Sequence, residues 1–195
     1  ADTITCTIGN SCSASPEVVL VSAVVGGLPT IDPGGGGGGT YQSGVRFSGL
    51  AYPKATVTVL KRDNTSLTIL ADESGRFSLF VPETDWQLFT LFATDTKGRK
   101  STLLNFPTVL YSGMITDISG IRFAPTITTD KLSVKKGDFI TIEGASLPDT
   151  TVEVVFEGPD SRVFSLESTS LGIYNVTIAA SFPEGEYILR SRYIG

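Results

Sequence analysis

The sequence predicts an all-β protein: two tandem β-sandwich domains, preceded by an N-terminal strand on a Gly-rich tether. Three observations carry this. Hydrophobic residues make up 41% of the 195-residue chain and charged ones 18%. Val, Ile, Thr, Phe, Gly and Pro recur throughout, a mixture that favours strands and turns over helices. From Val45 onward short alternating segments are punctuated by turn residues, and the second half repeats the grammar of the first. The length suits two domains of about 80–100 residues each.

Residues 1–43 differ from the rest. Val18 to Val25 reads V-V-L-V-S-A-V-V, an apolar run of strand length bounded by Pro16 and by Gly26-Gly27. The glycines Gly34 to Gly39 follow, with no side chains to pack, and behave as a flexible tether. A first domain over 44–112 is then expected from strands near Val45 to Ala51, Thr56 to Lys61, Ser66 to Ala71, Arg76 to Val81, Gln87 to Thr94 and Ser101 to Leu110. Tyr52-Pro53, Asp63-Asn64, Ser74-Gly75 and Lys97-Gly98 supply the turns. A second domain is expected over 113–195, with Ile118 to Ile127 and Leu132 to Val134 as its first strand and Lys135 to Asp138 as a turn. Short strands at this spacing are the pattern of Ig-like sandwiches.

The internal repeat is the strongest long-range feature. F-S-G-L-A-Y-P-K-A-T-V-T-V, from Phe47 to Val59, matches I-E-G-A-S-L-P-D-T-T-V-E-V, from Ile142 to Val154. Gly49 aligns with Gly144, Pro53 with Pro148, Val57 with Val152 and Val59 with Val154. Further on, G-R-F-S-L from Gly75 matches G-I-Y-N-V from Gly172, and F-T-L-F-A from Phe89 matches Y-I-L-R-S from Tyr187. The chain from Val45 to its end thereby resembles exported surface proteins of minimal-genome bacteria that carry tandem bacterial Ig-like or fibronectin-type repeats. That resemblance implies a cell-surface location and adhesion or scaffolding. Its motifs mark a fold rather than an activity.

Aligned in this way, the repeats differ at one place. After the strand of Phe89 to Ala93 the first repeat adds Ser101 to Leu110 as a closing strand. After Tyr187 to Ser191 the second has only Arg192 to Gly195. The strand holding Tyr187, Leu189, Ser191 and Tyr193 is therefore expected to be an open acceptor edge, which proteins normally cover. The apolar run holding Val18, Val19, Leu20, Val21, Val24 and Val25 is the candidate donor, through β-strand addition to a neighbouring copy. Such a head-to-tail contact does not close on itself and grows a homopolymeric filament. The alternatives are that the run is the first strand of its own first repeat, that it is disordered, or that the second repeat's native closing strand lies beyond Gly195.

The remaining residues argue for structure rather than chemistry. The chain has no histidine, which excludes a Ser-His-Asp or Cys-His site. Asp72 with Glu73, and Glu184 with Glu186, flank turn glycines as solvated acids do. Asp72 to Gly75 lacks the spacing of a calcium loop, and Gly34 to Gly39 has no following G-K-[ST]. No catalytic residue, metal or cofactor is expected. The formal net charge of −5 disfavours nucleic acid and anionic membranes, and no apolar run approaches the roughly 20 residues of a membrane-spanning helix. Ala1 followed by Asp2-Thr3 fits the start of an exported chain, extracellular or on a cell surface, where a short-loop disulfide between Cys6 and Cys12 is expected. Trp86, Tyr41, Tyr52, Tyr111, Tyr174, Tyr187 and Tyr193 are the candidates for a glycan-stacking surface in an alternative reading as a monomeric adhesin or carbohydrate-binding module, with a host or cell-surface ligand. Asn64-Thr65-Ser66 and Asn175-Val176-Thr177 match the glycosylation acceptor pattern.

Overall fold

The computed structural model describes residues 42–62, 65–85 and 87–194, and the backbone of residues 3–6 and 22–25. In chain order its strands are β1 (Thr3–Cys6), β2 (Ser22–Val25), β3 (Gly44–Leu50), β4 (Thr56–Leu60), β5 (Ser66–Leu70), β6 (Arg76–Pro82), β7 (Gln87–Thr94), β8 (Leu104–Thr108), β9 (Ile115–Arg122), β10 (Thr128–Thr129), β11 (Ser133–Lys135), β12 (Phe139–Ala145), β13 (Thr151–Glu157), β14 (Arg162–Glu167), β15 (Ile173–Ala179) and β16 (Gly185–Tyr193). No helix occurs among the described residues, and none is therefore long and apolar enough to cross a membrane.

Four sheets enclose two cores. Sheets β2-β9-β3-β6 and β5-β4-β7-β8 bury Val45, Phe47, Val57, Val59, Phe89 and Leu91 between them. Sheets β10-β12-β15 and β11-β1-β16-β13-β14 do the same for Ile140, Ile142, Val152, Val154, Phe156 and Tyr187. The alternation read from the sequence is the cause: in β13 and β16 every second residue is buried and its neighbours face out.

The repeat holds at the level of single hydrogen bonds. The Ala51 amide donates to the Gly75 carbonyl at 2.7 Å, and Ser146 to Gly172 at 2.8 Å. Lys54 donates to Asp72 as Asp149 does to Thr169, both at 3.2 Å. Gly75 and Gly172 share the left-handed conformation, with φ of +78° and +67°, and so do Lys54 and Asp149, with φ of +58° and +48°. Two equivalent glycines also allow close backbone approach. A Cβ on Gly49 would be driven into the Ile121 carbonyl, and one on Gly144 into the Thr126 carbonyl.

Three expectations change. The strand assigned to the start of the second repeat, Ile118 to Ile127, is β9 and lies in the first unit: it runs parallel to β3, with Ile118, Ile121 and Phe123 in the first core. It ends at Arg122, after a bulge where Gly120 adopts φ +76°. The alignment of Phe89 with Tyr187 also slips by two residues. Val57 stands opposite Ala93 and Val152 opposite Tyr193, so Ala93 corresponds to Tyr193, and Phe89 to Leu189. A two-residue slip preserves which face each side chain takes, so the alternation could not reveal it.

The third change concerns the candidate donor. Val18 to Val21 lie outside the described residues, and Ser22–Val25 pairs antiparallel with Ser119 to Thr116 of the same chain. Val25 and Val45 both stand opposite Thr116, on its two sides, so the Gly-rich tether joins positions two strand spacings apart, about 10 Å. Ser22–Val25, the described part of the run, therefore lies in its own first sheet.

Gly49→Ala and Gly144→Ala should each lower stability by about 1–3 kcal/mol or more through forced backbone displacement. Gly98→Ala, which meets nothing within 4 Å but keeps a φ of +82°, should cost about 1 kcal/mol. Urea unfolding of the three variants checks this ranking.

Candidate functional site

The last strand, expected to carry the acceptor edge, is paired on part of that flank by another strand. β1 lies between β11 and β16: Ile4 stands opposite Val134 on one side and Gly185 on the other, and Cys6 opposite Tyr187. It runs antiparallel to β11 and parallel to β16. In the first unit the same flank of the corresponding strand, β7, is taken by β8, antiparallel and over five paired residues. The second unit is therefore completed by the opposite end of the chain.

Aromatic rings cluster in the second core, against the inner face of β16. Tyr187 packs on Phe182 with ring centroids 5.5 Å apart, and Phe182 stacks on Phe156 at 5.0 Å. The Tyr187 hydroxyl donates to the Pro183 carbonyl at 3.1 Å. Tyr187, Leu189, Ser191 and Tyr193 all point inward and are buried, so what this strand presents at its edge is backbone. Among the described residues β1 pairs with it only over Gly185 to Tyr187. T-I-T-C does not stand out in the sequence, since four residues of alternation are too few to do so. Cys12 and the Cys6 side chain lie outside the described residues, as do Trp86, Tyr41 and Asn64.

A second constellation joins the two units. The segment Phe123 to Ile127 between β9 and β10 is buried throughout, and four successive carbonyls in it accept hydroxyls. Tyr193 donates to Phe123 at 3.2 Å, Tyr52 donates to Ala124, Ser191 donates to Pro125 at 3.0 Å and Tyr174 donates to Thr126 at 2.5 Å. Buried carbonyls without such partners would each cost about 1–3 kcal/mol. Burial, followed by the fields of Tyr193, Asp95 and Tyr174, pushes the Tyr52 pKa well above its ordinary value, which keeps this hydroxyl a donor.

Charge reinforces the junction. The Asp95 carboxylate, 2% exposed, accepts the Arg99 guanidinium at 2.6 Å, the Lys97 and Arg99 amides at 2.9 Å each, and the Thr126 hydroxyl at 2.9 Å. Glu143 of the second unit then accepts Lys97 at 2.8 Å and Arg99 at 3.2 Å. A cleft of about 460 Å³ beside this network is lined by Pro53, Lys54, Leu171 and Ile173, among others.

The other candidates have ordinary structural duties. Asp72 accepts the amides of Ser74 and Arg76 at 2.8 Å, closing its turn, and Glu73 meets Lys54 on the surface at 3.3 Å. Glu184 and Glu186 are exposed. No group of three or more metal-ligating side chains gathers among the described residues. The glycan-stacking surface does not form from these tyrosines: Tyr52, Tyr174, Tyr187 and Tyr193 are buried, and Tyr111 alone among the described ones is well exposed. No family model matches the chain, and no curated protein matches it.

The junction makes a pH prediction. A tyrosine whose folded pKa is raised contributes stability that is fully present below its unfolded pKa of about 10 and is lost as pH rises through the folded value. Urea midpoints measured from pH 8 upward should fall beyond about pH 10. Tyr52→Phe should cost about 1–3 kcal/mol at pH 8 by orphaning the Ala124 carbonyl, and its decline above pH 10 should be shallower.

Proposed function

We propose that this protein is an extracellular structural subunit of two Ig-like units that assembles head to tail by strand exchange, each copy seating its N-terminal strand in the second unit of a neighbour. The observation that carries this reading is the position of β1, a strand from the far end of the chain inserted between β11 and β16. Its backbone pairing is the same whichever copy supplies it. The connection decides, and fully extended the residues between Cys6 and Ser22 reach at most about 55 Å. Exchange of an identical element between copies needs no new interface.

The reading moves the donor from Val18 to Val25 to Thr3–Cys6 and keeps the acceptor on β16. It also gives the first unit a role. With β2 paired to β9, the first unit anchors the donor arm, and the junction fixes the direction of the seat relative to that anchor. The repeat grammar and the resemblance to bacterial surface repeats favour a scaffolding role at a cell surface over catalysis. The adhesin alternative draws no support from Tyr52, Tyr174, Tyr187 and Tyr193, which are buried.

Deleting residues 1–10 should abolish long polymers seen by negative-stain microscopy and leave a species that binds a synthetic peptide of residues 1–12. Ile4→Asp in the full chain should have the same effect on polymers. Polymers that persist in the deletion variant would sink the proposal, and so would a full-length protein that stays monomeric at every concentration tested.

A further inference from the structure

Among the described residues the sheets β2-β9-β3-β6 and β10-β12-β15 end, on their equivalent flanks, on β6 and β15, each with a single partner. The duplicated strands differ in a way that bears on association. β6 begins with Arg76 and ends with Pro82, a charge and a proline of the kind that blunt an edge against pairing. Arg76 stands opposite Leu50 and Ile173 opposite the equivalent Ala145; Pro82 stands opposite Gly44 and Ala179 opposite the equivalent Phe139. In the second unit both guards are therefore gone. β15 reads I-Y-N-V-T-I-A, seven residues with no charge and no proline.

The backbone of this edge has its hydrogen-bonding groups turned outward at known places. The Ile173 carbonyl accepts the Thr169 amide at 2.9 Å, and its amide donates to the Thr169 hydroxyl at 3.3 Å, so both point away from β12. Alternation along a strand sends the amides and carbonyls of Asn175 and Thr177 the same way. Among the described residues no strand meets them on that side, and both residues are exposed.

We infer that β15 pairs antiparallel with β15 of a second copy, about a two-fold axis through Val176, to make one continuous sheet across both molecules. The sequence of the strand is its own complement in this register. Asn175 falls opposite Thr177 of the other copy, and the two pairs exchange four backbone hydrogen bonds around a non-hydrogen-bonded Val176 pair. On the outer face Ile173 falls opposite Ala179, polar residues face polar residues, and no like charges meet. On the inner face Tyr174 falls opposite Ile178, and the half-buried Val176 and Ile178 at the flank of the second core gain cover. Phe139 supplies a further contact. It is 61% exposed and lies beside the small Ala179, over which its ring can reach Ile173 of the other copy.

This contact is isologous and closes on itself, whereas strand exchange is head to tail. The two are independent, and together they would join filaments side by side. The test uses the full chain with Cys6→Ser and Cys12→Ser, so that an added cysteine is the sole thiol. Val176→Cys should cross-link to its own copy under mild oxidation, since only residue 176 meets itself at the roughly 4.5 Å spacing of a non-hydrogen-bonded pair. Ile173→Cys and Ala179→Cys, each opposite the other residue, should not. Asn175→Lys with Thr177→Lys should weaken two-fold association by about tenfold or more in sedimentation velocity, with an unchanged urea midpoint. Equal cross-linking at 173, 176 and 179, none at 176, or association that survives the double lysine variant overturns the inference.

Discussion

The structure depends on a buried stretch of backbone that no regular sheet accounts for. Phe123 to Ile127 passes between two cores, where an unpaired carbonyl is costly, and its carbonyls from Phe123 to Thr126 are met by the hydroxyls of Tyr193, Tyr52, Ser191 and Tyr174. These donors come from both units, so neither unit satisfies the segment alone. Gly144 has no side chain for the same reason: the Thr126 carbonyl occupies the space a Cβ would need. Asp95 extends the arrangement by holding Thr126 from the first unit, while Thr126 in turn accepts the Ala145 amide of the second at 2.9 Å. Polar satisfaction ties the two units together alongside apolar packing: Ala145 of the second lies in the first core, and Leu50 of the first packs against the second.

That tie gives the ends of the chain their meaning. A rigid junction sets where the seat between β11 and β16 lies relative to the first unit, which carries β2 and the connection back to β1. β1 is held beside β11 and β16 by backbone pairing, which does not distinguish one copy from another. The sheet edges are finished differently. β16 is partly covered by β1, β6 is guarded by Arg76 and Pro82, and β15 carries neither kind of guard.

Much of the fold could be read from residue patterns. The paired Gly49 and Gly144, Gly75 and Gly172, and Lys54 and Asp149 after their prolines occupy equivalent places with equivalent geometry. Local rules sufficed there, because a turn or a close approach is settled by a few neighbouring residues. The strand covering β7, within Ser101 to Leu110, was legible as well. The strand on the matching flank of β16 was not: T-I-T-C is brief, and nothing local ties it to Gly185 to Tyr187. The tyrosines misled for a related reason. An aromatic ring with a hydroxyl suits a glycan surface or a buried carbonyl equally well, and only its neighbours separate the two.

By itself the sequence determined most of the strands, their inward faces, the turns and the duplication, all of which follow from alternation and from residues with few backbone options. Tertiary structure alone decided the partners. It placed β9 in the first sheet rather than the second, slipped β7 against β16 by an even number of residues, returned Ser22–Val25 to its own chain and set β1 beside β16. Strand pairing joins residues far apart in the chain through backbone groups that every residue carries. The pairing that wins depends on which edges and cores remain to be covered once the rest has packed, and no local pattern encodes that.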